Sequence, residues 1–326
     1  MKNLITGGAG FIGSHLAEEL LKRKERVIVI DDLSTGSIDN IKHLRAARGF
    51  SYRIDTILNK PLLKRLMKQC DIVYHMAAAV GVKYIIDNPL ESIETNVKGT
   101  ETVLELADSL GKKKVILAST SEIYGKDRPG KRCFSELDDR LLGPTTISRW
   151  SYSCTKALDE FLALAYWRKK KLPIVIVRLF NTCGPRQTGR YGMVIPRFVK
   201  QALSGQPLTV YGDGRQTRSF TYVKDVVGSL ITLAKNKKAM GEIFNIGNPR
   251  AITINSLAAK VIELTKSESK IAHIPYEKAY DSGFEDMRHR CPDISKIKKL
   301  IGFSPKTGID EILKRTIQYI KYKEEV

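Results

Sequence analysis

Thr6-Gly7-Gly8-Ala9-Gly10-Phe11-Ile12-Gly13 decides how this chain folds. Leu4-Ile5 precedes it as the end of an apolar strand. Ser14-His15-Leu16-Ala17-Glu18-Glu19-Leu20-Leu21 follows, with apolar residues at helical spacing. Glycines at 7, 10 and 13 suit a tight turn, a close approach of backbone to phosphate, and close packing of helix on strand. The N–H groups of the first helical turn then face a diphosphate, whose charge the helix dipole favours. A second strand, Val27-Ile28-Val29-Ile30, ends at Asp31. An acidic residue about 20 positions on suits a ribose 2′-hydroxyl. Asp31 and Asp32, with no arginine in the turn that follows, favour NAD over a cofactor carrying a 2′-phosphate.

Working outward, apolar runs at 27–30, 72–76, 114–118 and 174–179 read as buried parallel strands. Helical patterns at 61–69, 89–110 and 153–170 lie between them. This alternation predicts an α/β fold with a Rossmann-like, doubly wound parallel sheet. After Phe180 the rhythm breaks. Gly184-Pro185, Gly189, Gly192, Pro196, Gly205, Pro207 and Gly212-Asp213-Gly214 read as long loops over a site. Helical patterns resume at 223–236, 255–266 and 309–322. The expected division is a dinucleotide-binding domain over 1–180, with 216–247 returning to it, and a smaller substrate domain mainly over 181–326.

The 326 residues are enough for a sizeable core, and 42% hydrophobic content is ordinary for a globular chain. No apolar run reaches membrane-spanning length, and the chain enters the glycine turn too early for a signal peptide. Cysteines at 70, 133, 154, 183 and 291 show no metal-site spacing, so the expectation is no metal and free thiols in a reduced cytoplasm. Net charge is +20, but the basic residues are scattered without interleaved aromatics, which argues against nucleic acid. Helices 89–110 and 153–170 carry wide apolar faces. These suit either packing on their own sheet or a two-fold helix-bundle dimer.

Tyr152 and Lys156 are four apart near a helix start and share a face. An ammonium beside a phenol stabilises the phenolate, which then acts as a base near neutral pH. Ala118-Ser119-Thr120-Ser121-Glu122-Ile123-Tyr124-Gly125 closes the preceding strand on the crevice side of such a sheet, where Thr120 can share a substrate hydroxyl with Tyr152.

With these residues in view, the chain resembles the extended short-chain dehydrogenase/reductases of the nucleotide-sugar epimerase and dehydratase group. The resemblance rests on the glycine turn, Asp31, His75-Met76-Ala77-Ala78, Asn96-Val97-x-Gly99-Thr100, Thr120, Tyr152-x-x-x-Lys156 and Arg178-x-x-Asn181-x-x-Gly184-Pro185-Arg186. It extends through Tyr211-Gly212-Asp213-Gly214, Arg218 and Asn245-Ile246-Gly247. It implies NAD, a UDP- or dTDP-sugar, and a dimer. It also implies that Gly7, Gly10, Phe11, Ile12, Gly13, Asp31, Asp32, Asp55, Ala77, Ala78 and Asn96 hold the cofactor together with Tyr152 and Lys156. Thr120, Tyr152 and Lys156 would be catalytic. Asn181, Val194, Tyr211, Arg218 and Arg288 would hold the sugar nucleotide, with Arg290 nearly as good a candidate as Arg288.

Two positions bear on the reaction. Glu122 departs from the small residues of simple 4-epimerases and resembles 4,6-dehydratases and uronate decarboxylases. Arg190, in a Gly-flanked loop, can grip a carboxylate through two parallel hydrogen bonds. The main expectation is therefore 4-epimerisation of UDP-glucuronate or UDP-glucose, with Arg190 restraining the carboxylate. Decarboxylation of a 4-keto uronate comes second and 4,6-dehydration through Glu122 third. A catalytically inactive dinucleotide sensor is the reading from another class.

Overall fold

The computed structural model describes residues 1–126, 130, 133–189, 193–276 and 287–325. Its frame is a sheet of β1 (Lys2–Thr6), β2 (Arg26–Asp31), β3 (Phe50–Ile54), β4 (Ile72–His75), β5 (Lys114–Thr120), β6 (Ile174–Leu179) and, from much later in the chain, β11 (Ile243–Ile246). The spatial order is β3-β2-β1-β4-β5-β6-β11, with every neighbour parallel. Strands covered on both faces need continuous apolar runs, and Val115, Ile116, Leu117, Val175, Ile176 and Val177 are all buried.

Helices α1 (Phe11–Lys22) and α7 (Val223–Lys235) pack on one face. Helices α2 (Lys60–Met67), α4 (Pro89–Ser109) and α5 (Trp150–Ala165) pack on the other, with the short α3 (Val82–Asp87) leading into α4. The strand order reverses between β1 and β4. Their carboxyl ends therefore diverge into a crevice at the end where the glycine turn lies.

Beyond β6 the chain builds a second layer from β7 (Thr182–Cys183), α6 (Val194–Leu203), β8 (Leu208–Tyr211), β9 (Thr217–Ser219) and β10 (Thr221–Tyr222). After β11 it continues through β12 (Ala251–Thr253), α8 (Ile254–Thr265), β13 (Ile271–Ile274), β14 (His289–Arg290), α9 (Ser295–Ile301) and α10 (Ile309–Glu325). Helix α6 occupies part of the stretch read from sequence as loop. Pro196 sits in its first turn, where an N–H has no intrahelical partner to lose. Ile195, Phe198, Val199 and Ala202 bury against the core.

The free-thiol expectation fails at one pair. Cys133 and Cys291 form a disulfide, with Cα atoms 4.5 Å apart. They are 158 positions apart in sequence, so spacing carried no sign of the partnership. Among the described residues, no helix is long and apolar enough to cross a membrane.

Candidate active site

The glycine turn closes by direct contact of backbone on backbone. Gly7 has φ +70°, and a Cβ there would sit 2.7 Å from the Ala77 nitrogen. A Cβ on Gly13 would sit 2.2 Å from the Gly7 carbonyl oxygen. Neither position has room for a side chain, which is what brings α1 onto β1. Helix α1 is capped by Gly10, whose lack of a side chain leaves the first-turn N–H groups turned to the crevice that Phe11, Ile12 and Gly13 line.

Asp31 braces this turn as well as bordering the crevice. Its carboxylate accepts from Ala9 N at 2.8 Å and Leu33 N at 2.9 Å. Burial pushes its pKa up, against the pull of those N–H groups. Asp32 and Asp55 line the same rim, and Asp55 also accepts from Asn59 Nδ2 at 3.0 Å. Lys156, among the expected cofactor residues, is buried and does not line the crevice, and the same holds for Asn96. The Asn96 amide instead clasps Ala79, accepting from Ala79 N at 2.8 Å, and so fixes the Ala77–Ala79 strap that does.

The crevice has a volume of about 470 Å³ and runs from the glycine turn to the second layer. Thr120, Glu122 and Tyr152 meet at its middle. Tyr152 shares a hydrogen bond with Thr120, and Thr120 Oγ1 also accepts from Glu122 N at 3.2 Å, capping the turn after β5. Burial raises the Tyr152 phenol above its ordinary pKa, and the Glu122 carboxylate adds to that; Thr120 and Arg290 pull the other way. Glu122 Oε1 stands 3.6 Å from Arg290 Nη1, which also reaches Asn181 Oδ1 at 3.5 Å.

Beneath Tyr152, Lys156 is buried and forms a 2.7 Å ion pair with Asp159. The fold behind this group is held by charge-assisted hydrogen bonds. Arg178 binds Glu160 at 2.7 Å and the Tyr124 hydroxyl at 2.9 Å, and Tyr124 donates to Asn245 at 2.6 Å. The matched Arg178 and Asn245 therefore secure the Ser121–Tyr124 turn that presents Glu122.

The second layer supplies Asn181, Val194, Tyr211 and Arg218 to the crevice. Arg288 is exposed and stays outside it, because its carbonyl is tied to Thr217 N before β14 begins. The arginine that enters is Arg290, opposite Arg218 in register. Arg190 lies outside the described residues. Sequence reasoning missed Arg149, Arg197, Gln216 and Tyr276, all crevice-lining. Arg197 lies over the Tyr211 ring at 4.2 Å, and Gln216 donates to Tyr276 at 3.2 Å. Arg197 sits three positions after Val194, so the signal for it was the unrecognised helix α6.

The groups present fit a dinucleotide. Open helix N–H groups face where a diphosphate sits, carboxylates lie at the end of β2, and Tyr152 stands at the centre with Lys156 buried beneath it. Comparison with known proteins adds four findings. A UDP-N-acetyl-alpha-D-glucosaminuronate decarboxylase of Bacillus cytotoxicus is 47% identical over 98% of this chain and 97% of its own length. UDP-glucuronic acid decarboxylase 6 of Arabidopsis thaliana is 38% identical over 95% of this chain and 86% of its own. A Bacillus cereus UDP-glucuronic acid 4-epimerase, solved with UDP-glucuronic acid and NAD, superposes with a TM-score of 0.88 at 33% identity, covering 99% of this chain and 100% of that one. The profile of the GDP-mannose 4,6-dehydratase family matches residues 4–316, so the chain belongs to that family of extended short-chain dehydrogenase/reductases, the NAD-dependent nucleotide-sugar epimerases and dehydratases.

Proposed function

We propose that this protein is an NAD-dependent decarboxylase of a UDP-linked uronate, UDP-N-acetylglucosaminuronate or UDP-glucuronate. The observation that carries the reading is the Glu122–Arg290 pair beside Tyr152. Tyr152, as phenolate, takes the proton of the sugar C4 hydroxyl while Thr120 shares the hydrogen bond. NAD, held by the glycine turn, Asp31 and Lys156, supplies the hydride acceptor and donor for C4. A uronate oxidised at C4 is a β-keto acid. Its C5–C6 bond breaks, the electron pair moves into the C4 carbonyl as an enolate, and carbon dioxide leaves. Protonation at C5 and reduction at C4 then give a UDP-pentose or its N-acetylamino counterpart.

A 4-epimerase must keep that carboxylate in place while the ring turns, which calls for a cation committed to it. Here the Arg290 charge is already matched by Glu122. An incoming carboxylate meets an anion as well as a cation, and loss of carbon dioxide relieves that repulsion. The 4-epimerisation expected from sequence rested on Arg190 and gives way to its alternative. The two decarboxylase relatives support the same choice. A second copy of the chain completes the reading. Leu90, Ile93, Leu158 and Phe161 stand exposed on the adjacent α4 and α5, which supports a helix-bundle dimer.

Mass spectrometry on a panel of UDP-sugars tests the substrate class. UDP-uronates should be converted to products lacking the carboxyl group, and UDP-glucose should be left unchanged. Turnover of UDP-glucose to UDP-galactose at a matching rate would return the protein to the 4-epimerases.

A further inference from the structure

Behind Tyr152 runs a buried polar chain of which the proposed reaction uses only Lys156. Lys156 Nζ donates to Asp159 Oδ2 at 2.7 Å, and both side chains are almost wholly buried, at 2% and 1% exposure. Asp159 is also hydrogen-bonded by Thr100 of α4. The Thr100 hydroxyl lies 3.2 Å from His75 Nε2, and His75 Nδ1 lies 2.8 Å from the Thr6 hydroxyl at the end of β1. Thr6 in turn accepts from Ala77 N at 3.2 Å. The chain therefore joins the glycine turn, the Ala77–Ala79 strap and Lys156 through one carboxylate.

We propose that Asp159 is a positioning residue: it anchors the Lys156 ammonium beneath the crevice and sets the pH range over which Tyr152 works. A lysine this deeply buried needs an anionic partner close by, and Asp159 is that partner. The anchor has an electrostatic consequence. Asp159 places a negative charge one helical turn past Lys156, on the helix face that Tyr152 shares, and so opposes the phenolate that Lys156 favours.

The charged and titratable groups around the pair are few. Asp159 faces Lys156 and Glu160 on its own helix, Thr100 on α4, and through Lys156 the neutral ring of His75, which burial holds down at about 3. Tyr152 faces Glu122, Thr120 and Arg290 besides Asp159. Of these, Asp159 is the group tied directly to Lys156. Its carboxylate can be neutralised with little change in shape, since Asn keeps the volume and one oxygen acceptor.

The inference rests on Tyr152 being the base, and not on which sugar is turned over. The test compares Asp159→Asn with the parent enzyme in two ways. The first is the acidic limb of the kcat pH profile. The second is the rate at which tetranitromethane nitrates Tyr152 in the NAD-free protein, mapped by peptide mass spectrometry, since nitration follows the phenolate fraction. Removing the anion lowers the pH at which the phenolate forms. The limb should move to lower pH by on the order of one unit, and nitration at fixed pH should rise roughly tenfold. Asp159→Glu, which keeps the charge, should leave the limb where it was. If Asp159→Asn does not fold, Thr100→Val takes its place. It withdraws a hydrogen bond that offsets the carboxylate charge, and should move the limb the other way, to slightly higher pH. A limb and a nitration rate that both stay put, whatever happens to the maximal rate, would show Asp159 to be packing only. Retained turnover in Tyr152→Phe would instead overturn the assignment of the base, and the two failures are distinguishable.

Discussion

At the scale of single residues, the proposed chemistry turns on Tyr152, Glu122 and Arg290. Replacing Tyr152 with Phe keeps the ring and removes the proton acceptor. Loss of a general base costs on the order of 10²–10⁴ in rate. Tyr152→Phe should show such a fall in kcat with UDP-sugar affinity largely kept, measured by steady-state kinetics beside calorimetry. Near-normal turnover would mean another group takes the C4 proton. The sequence made Tyr152, Thr120 and Lys156 legible because their spacing from the end of β5 and along α5 is local. Arg290 was harder to place. Arg288 and Arg290 stand two apart in one short segment, and which of them enters the crevice depends on where β14 begins against β9, a long-range pairing that leaves no local mark. Glu122 carried no local mark of its partner Arg290, which lies far along the chain. Asn96 shows the reverse case, a matched residue that holds the Ala79 backbone and not the cofactor space.

At the scale of elements, the glycine turn is the part that admits least variation. A methyl group on Gly13 would have to sit 2.2 Å from the Gly7 carbonyl, so α1 must move off β1 to admit it. Overpacking of this kind costs typically about 1–3 kcal/mol. Gly13→Ala should lower the unfolding midpoint and weaken NAD binding in calorimetry, because the displaced N–H groups are the ones offered to the diphosphate. NAD binding at parental strength would show that the helix N-terminus does not hold the cofactor.

The exposed face of α4 and α5 carries a separate prediction. Phe161 is 66% exposed and Leu158 51%, one helical turn apart. If a second copy covers them, Phe161→Glu should give a monomer in sedimentation at concentrations where the parent is a dimer. A parent that sediments as a monomer would remove the helix-bundle proposal. Periodicity alone left this face divided between sheet and partner, since both demand apolar residues at the same spacing. Helix α6 stayed hidden for a related reason: glycines and Pro196 around it read as loop, and only the burial of Phe198 and Val199 shows what holds it.

At the scale of the whole molecule, the parallel sheet was legible because strands buried on both faces announce themselves as unbroken apolar runs. The two edge strands read less plainly: β3's Phe-Ser-Tyr-Arg-Ile alternates and is half exposed, and β11 was placed only as part of the 216–247 return. What joins distant parts of the chain was not legible. The Cys133–Cys291 disulfide and the Glu122–Arg290 pair both tie the Rossmann half to β14 and the residue after it, and both join segments far apart in the chain, 158 positions in the disulfide's case. The proposed choice of reaction rests on the Glu122–Arg290 pairing, which has no local mark in the sequence; the sequence reached the family and placed decarboxylation second to 4-epimerisation. The most direct test follows the carboxyl carbon itself. A UDP-uronate carrying carbon-13 in its carboxyl group, incubated with the protein and NAD, should release labelled carbon dioxide in step with an unlabelled UDP-pentose in the NMR spectrum. Label retained in a sugar nucleotide inverted at C4, with no carbon dioxide, would contradict the decarboxylase and establish the epimerase.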